Sequence, residues 1–590
     1  MPQKMDLRLQ RGVFMVRIQD LICRISCIAL LGLFLFTGCA MPTIGPTPTP
    51  TRTPIPPTPT LTPTPVPPSP TPTPAFPVTA GCALGVPEGA CDRLHTAVAE
   101  ASVYFVWTDD VINADTLVDV VPPANAIPLG TWTYAVVAPF FTVDDDVTLA
   151  DVRATWAGTP TGPFTERPLL VTDDTRDAIS TLWGATAEGA LSVVSASELL
   201  TTAEQTNAWA IVPFDALEPR WKVLRVDGLS LLEKGADVTA YPLTLPFYWG
   251  SAARPETLSL LPRTPETFNN RHAEHLTIVL MTGVTAMARG TGQLMDRMGV
   301  TYPAQDVLPW FTAADIVHIS NEVSFKSDCV TEGSGTMSFC SHDDYIGLLE
   351  AINTSVIELT GNHLVDKGII PLSHTLEMYR ERGWQWFGGG ENYTDARQPA
   401  LFEHGPNKIA FIGCNSVDNP YDWATDELPG VFSCRQTDRK ALDPVDLAYL
   451  ETTIADLRSQ GYNVIFTVQE YETESYVPFA GQIADFRTFA DLGPVYVQGS
   501  QAHQPQTMEF HGDIFIHYGL GNFFFDQMWN EGRQGFVNRL VFYDNRLLSI
   551  ELLPTWLEEY GRPRPMTVDD PNPAANRRQF LEMIFLLRPQ

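Results

Sequence analysis

The stretch IELTGNHLVDKG, residues 357–368, ends an apolar run at Gly361 and then sets Asn362, His363 and Asp366 within five residues. An imidazole and a carboxylate three positions apart can share a proton. Because histidine titrates near neutral pH, the pair suits general acid–base work or charge stabilisation beside an anion. Loop amides next to Gly361 could bind a phosphate or carboxylate. The same residues also have an ordinary use, with Asp366 capping the helix that follows and Asn362 completing the turn. Spacing alone leaves both readings open.

The elements around this stretch give it a place. Strand-like runs LTIVLM, DIVHIS, SVIELT, KIAFIG, NVIFTV and PVYVQG recur from residue 275 onward and alternate with amphipathic stretches. In LAYLETTIADL, Leu447, Leu450, Ile454 and Leu457 recur at helical spacing and make one apolar face. Strand then helix, repeated, predicts a largely parallel or mixed sheet covered by helices, followed by hairpins with turns at 511–513 and 544–545. In such sheets, loops leaving the carboxyl ends of strands converge on one crevice. TGVTAMAR, NEVSF, GNHLVDKG, QEYE and SQAHQPQ each follow such a run, so five strand ends offer polar groups to one edge.

With GGGENYTDARQP and YGLGNFFFD, these loops make residues 275–525 resemble the CapA-like poly-gamma-glutamate capsule biosynthesis family. That resemblance implies an α/β fold of calcineurin-like metallophosphoesterase type, with mixed β-sheet layers flanked by helices. It also implies a site lined by Glu322, Asn362, His363, Asp366 and His503. In that site His363 and Asp366 are the catalytic pair, and Glu322, Asn362 and His503 are metal ligands. Gly390 and Asn392 form a second wall that, with Gln501 and Asn522, contacts substrate, while Lys326, Arg289 and Lys367 draw in a polyanion locally.

Three departures weaken the metal chemistry. Gly283-Val284 stands where the family carries Gly-Asp, Gln469-Glu470-Tyr471 where it carries His-Trp-Gly, and Gln501-Ala502-His503 where two histidines flank one residue. Two divalent ions need anionic bridging and several donors to offset their repulsion. Val284 supplies none, so one divalent ion is the most this set could hold unless Glu470 substitutes. The expected role is capsule-type anionic polymer synthesis or export. Its alternative is a non-catalytic extracellular solute- or polymer-binding protein that has lost its metal site.

The chain has 590 residues, and at about 150 residues per domain this suggests several units. Residues 1–39 combine basic residues with the apolar run ISCIALLGLFLF and end in FTGC, which describes an export signal with a lipobox whose Cys39 takes the lipid. Residues 40–79 form a Pro/Thr-rich stalk, an extended spacer able to reach roughly 100 Å. Residues 80–265 mix short β-rich runs with helical stretches, as a smaller α/β domain would. Within it, residues 134–158 and 208–228 resemble pieces of phosphate-type periplasmic solute-binding proteins. The larger domain covers 275–560, and 561–590 reads as a C-terminal tail.

The folded part is thus expected outside the cytoplasm, anchored to the membrane by its lipid. Its partners would be an anionic polymer or its precursor and the capsule synthesis or export machinery. The net charge of -31 argues against nucleic acid. Six cysteines remain after the leader and Cys39, in three close sequence pairs. Three local disulfides is the reading in an oxidising compartment, and no CxxC spacing supports a metal cluster instead.

Overall fold

Six apolar runs of the second half become strands, and they divide between two sheets. Leu276–Thr282, Ile316–Asn321 and Val356–Glu358 run parallel in one, with Gln385–Phe387 beside them and the antiparallel strands Gln534–Tyr543, Arg546–Glu558 and Arg562–Pro565 on the other flank. Asn407–Asn415, Asn463–Gln469 and Tyr496–Gly499 run parallel in the other, continued by Ile514–His517 and edged by Ala400–His404 and Met508–His511. The strand–helix alternation by itself predicts a sheet covered by helices, and the mixed β-sheet layers that the family resemblance implies are what form. Every residue of Leu276–Thr282 and of Asn463–Gln469 is buried, and a run buried on both faces does not specify which neighbour it pairs with.

The computed structural model describes residues 76–122, 126–250, 255–261, 268–331, 333, 337–417, 419–435, 441–471 and 473–589. The export signal, Cys39 and the stalk lie outside the described residues. Among those described, no helix is long and apolar enough to cross a membrane.

Val279, Met281 and Leu540 of one sheet share a core with Phe411, Ile465, Tyr496 and Phe515 of the other. Helices cover the outer faces. On Pro444–Ser459, Leu450, Ile454 and Leu457 are buried as the spacing predicted, with Leu447 half-buried. Asp443 caps that helix by accepting from the N–H groups of Val445 and Asp446, and Pro444 sits in its first turn, where no N–H is missed. Both predicted hairpins form. Asp544 and Asn545 take positive φ of 49° and 58°, which the short turn between Gln534–Tyr543 and Arg546–Glu558 requires.

The first half folds as a mixed sheet, nine-stranded among the described residues, with the long strand Ile127–Pro139 at its centre and the helices Glu88–Glu100, Leu149–Trp156, Asp173–Trp183 and Ala196–Thr206 around it. Pro74–Gln590 form one compact unit. Phe140 packs against Phe510 and Phe515 across it, and Tyr543 sits against Phe214. The stretch 561–590, expected as a tail, is folded over its described residues: Arg562–Pro565 extends a sheet, and Arg577–Leu586 buries Phe580, Leu581, Ile584 and Phe585. Three disulfides, Cys82–Cys91, Cys329–Cys340 and Cys414–Cys434, match the three sequence pairs.

Candidate functional site

Parallel strands within each sheet send their loops out at the same edge, and the loops of both sheets meet there. Glu322 follows Ile316–Asn321, and Gly361 follows Val356–Glu358. A Cβ on Gly361 would lie 2.4 Å from Glu322 Cβ, so only glycine permits this approach. One residue on, Asn362 Oδ1 accepts from Gln469 Nε2 at 3.1 Å, joining the first sheet's loop to the second sheet's strand end.

The two readings of the opening stretch separate here. Asp366 does not cap the next helix, Ile369–Glu381, whose N-cap is Gly368 with no side-chain bond. Instead Asp366 Oδ2 lies 2.8 Å from His363 Nδ1 and accepts the Phe339 N–H at 2.7 Å. With Nδ1 held by the carboxylate, Nε2 is the nitrogen left for other contacts. Burial works against the charged imidazole. The Asp366 hydrogen bond and the charges of Glu322, Asp366 and Asp422 outweigh it, and His363 is held above the ordinary histidine range.

Asp422 has no counterpart in the sequence reading. It is 4% exposed, in the loop that Cys414–Cys434 closes, and Asn419 Nδ2 donates to it. Burial, reinforced by the charge of Asp366, pushes its carboxyl up to about 7. The clue available in the sequence was an acid inside a disulfide-closed loop leaving a strand end. Asp422 thus titrates near neutral pH beside an imidazole whose charged form is favoured.

His503 is oriented by Asn522, whose Oδ1 lies 2.8 Å from Nδ1, while Asn522 Nδ2 donates to the Gly532 carbonyl at 2.8 Å. Arg289 links the two histidines. Its guanidinium lies 5.0 Å from the Phe339 ring and 4.8 Å from the Phe525 ring. Those rings in turn pack on His363 at 4.5 Å and His503 at 5.1 Å. Asp526 pairs with Arg289. Beneath the loops, His318 Nε2 meets Glu358 Oε2 at 3.1 Å with neither side chain exposed. Burial pushes Glu358 up, but its hydrogen bonds to His318, Thr360 and Thr467 together with the His318 charge outweigh that and hold it down.

Other expected residues sit differently. Gln501 joins the cluster, its Oε1 accepting from Gln469 Nε2. Asn392 is committed to capping Tyr393–Ala396 by accepting from the Asp395 N–H, and a Cβ on Gly390 would lie 2.5 Å from Asp395 Oδ2, so both serve local packing. Lys326 pairs with Asp328. Glu470 does not substitute for a ligand. Successive strand residues point to opposite sides, and Glu470 faces Arg435, at 2.6 Å.

Among the described residues no three His, Cys, Asp or Glu side chains gather closely enough to hold a metal ion. The atom central to Glu322, Asn362 and Gln501 is the amide nitrogen of Gln469, a donor, which cannot ligate a cation.

Residues 278–527 match the family described as bacterial capsule synthesis protein PGA_cap. The chain is 23% identical over 307 residues to the capsule biosynthesis protein CapA of Bacillus anthracis, covering 50% of this chain and 71% of that one. It is 23% identical over 293 residues to the PGA biosynthesis protein CapA of Bacillus subtilis, covering 49% and 73%. An ABC-type phosphate transport receptor from Vibrio cholerae aligns over 31% of this chain and 90% of its own, with 13% identity and a TM-score of 0.26. Residues 278–527, with their mixed sheets and converging loops, thus form a CapA-like domain of metallophosphoesterase type, similar to the PGA_cap family.

Proposed function

We propose that this chain serves capsule-type anionic polymer synthesis or export at the outer face of the membrane, tethered by a lipid on Cys39, and that its crevice binds the polymer or its precursor. The His363–Asp366 pair carries this reading. Asp366 holds one imidazole nitrogen and favours the charged form, so Nε2 offers a proton to a carboxylate or phosphate. Below about pH 7 Asp422 adds a second acidic hydrogen close by.

His363 could also serve as general acid toward a leaving oxygen, positioned by Asp366. The Gln469 amide at the centre of the loops favours the other role, holding polymer without cleaving it. Titration of the purified exported chain with poly-gamma-glutamate, alongside turnover of a generic phosphoester, separates the two. Binding lost in His363→Ala without turnover in either protein supports holding. Turnover abolished in His363→Ala supports hydrolysis. Equal binding by both proteins with no turnover removes His363 from the function.

A further inference from the structure

Gln469 ends the strand Asn463–Gln469 and is 1% exposed. Its Nε2 lies 3.4 Å from Glu322 Oε2 and 3.1 Å from Asn362 Oδ1, and it donates to Gln501 Oε1 in a short hydrogen bond. Three oxygens on three separate loops, one of them a carboxylate oxygen, therefore converge on a single nitrogen. Oxygens gathered this way, with a carboxylate among them, are the surroundings a hard divalent cation takes. A neutral amide with two hydrogens occupies the point instead.

This amide cannot be turned over. Gln469 Oε1 accepts from Asn415 Nδ2 at 2.8 Å, and the same Nδ2 donates to the Thr360 carbonyl at 2.6 Å. Rotating Gln469 would set its oxygen against three other oxygens and its NH2 against that of Asn415. Other groups that could balance a cation are directed elsewhere. Glu470 faces Arg435, Asp366 holds His363 and the Phe339 N–H, and Val284 is aliphatic.

We propose that Gln469 Nε2 stands in for a divalent cation, tying the loops of both sheets together by hydrogen bonds and closing the crevice to divalent metals. Residue 469 is then the position that decides whether a metal enters. Gln469 acts in this way whatever ligand the crevice receives. A carboxylate there keeps the shape, removes the N–H donors and leaves only oxygens around the point, a set that draws in Mn2+.

The test uses the full exported chain, stripped with EDTA and melted with EDTA or with MnCl2, with bound metal counted by elemental analysis. The wild-type protein is expected to carry no stoichiometric metal and to melt at the same temperature in both conditions. Gln469→Glu is expected to bind Mn2+ and melt several degrees higher with it, since a ligand that binds only the folded state stabilises it. One equivalent of metal on the wild type, a melting temperature that falls on chelation, or a folded Gln469→Glu indifferent to Mn2+ would overturn the proposal. If Gln469→Glu does not fold, Gln501→Glu decides. It leaves the Gln469 NH2 in place and is expected to fold and ignore Mn2+, so metal uptake by it would be contrary evidence.

Discussion

Asp366 Oδ2 accepts two donors at once, His363 Nδ1 at 2.8 Å and the Phe339 N–H at 2.7 Å, and Phe339 in turn packs its ring on His363. The carboxylate therefore fixes both the charge and the attitude of the imidazole. Asp366→Asn keeps an acceptor for Phe339 but removes the charge. The His363 pKa, followed by NMR titration of its ring protons, is expected to fall below the wild-type value in this variant. An unchanged titration would show that Asp366 does not govern it.

Asp422 gives a pH-dependent prediction. Its carboxyl holds a proton up to about 7 in the folded state but releases it near the ordinary 3.8 when unfolded. Between those values the folded state binds more protons, so stability falls as pH rises through this range. Asp422→Asn removes that loss. Thermal melts should place the variant above wild type at about pH 8 and level with it at about pH 4. A uniform offset at both would contradict the assignment.

The disulfide Cys414–Cys434 closes a 20-residue separation and holds the Asp422 loop against the strand Asn407–Asn415. Replacing both cysteines by serine should cost about 3 kcal/mol in urea unfolding. A loss below about 1 kcal/mol would mean that the loop is held by its hydrogen bonds alone.

Phe140 reaches from the first half of the chain into the aromatic cluster of Phe510 and Phe515, at 5.2 Å and 4.9 Å between ring centroids. Phe140→Ala should destabilise the whole of Pro74–Gln590 by about 3–5 kcal/mol in one transition. Two separate transitions in wild type would show that the halves fold independently.

Much of this arrangement could be read in the sequence because it rests on local patterns. The six strand runs, the apolar face of Pro444–Ser459 and the Asp544-Asn545 turn are set by periodicity and turn chemistry, and all three form. Layers of mixed sheet were expected, but which runs share a sheet was hidden, because wholly buried strands carry no mark of their partner. At the site, Asn362, His363 and Asp366 announced themselves by spacing. That Glu470 faces Arg435 and that Asn392 caps a short helix could not be read there, because a side chain's direction depends on strand phase and local capping. Asp422 lies in irregular backbone, where only the covalent closure places it.

Calorimetric titration of the purified chain with poly-gamma-glutamate, for wild type and His363→Ala, tests most directly whether these loops make an anion-binding crevice. Wild type should bind more tightly at about pH 6 than at about pH 8, because Asp422 loses its proton between them, and the variant should lose at least about tenfold in affinity, about 1.4 kcal/mol. Binding that is indifferent to both pH and the substitution would contradict it.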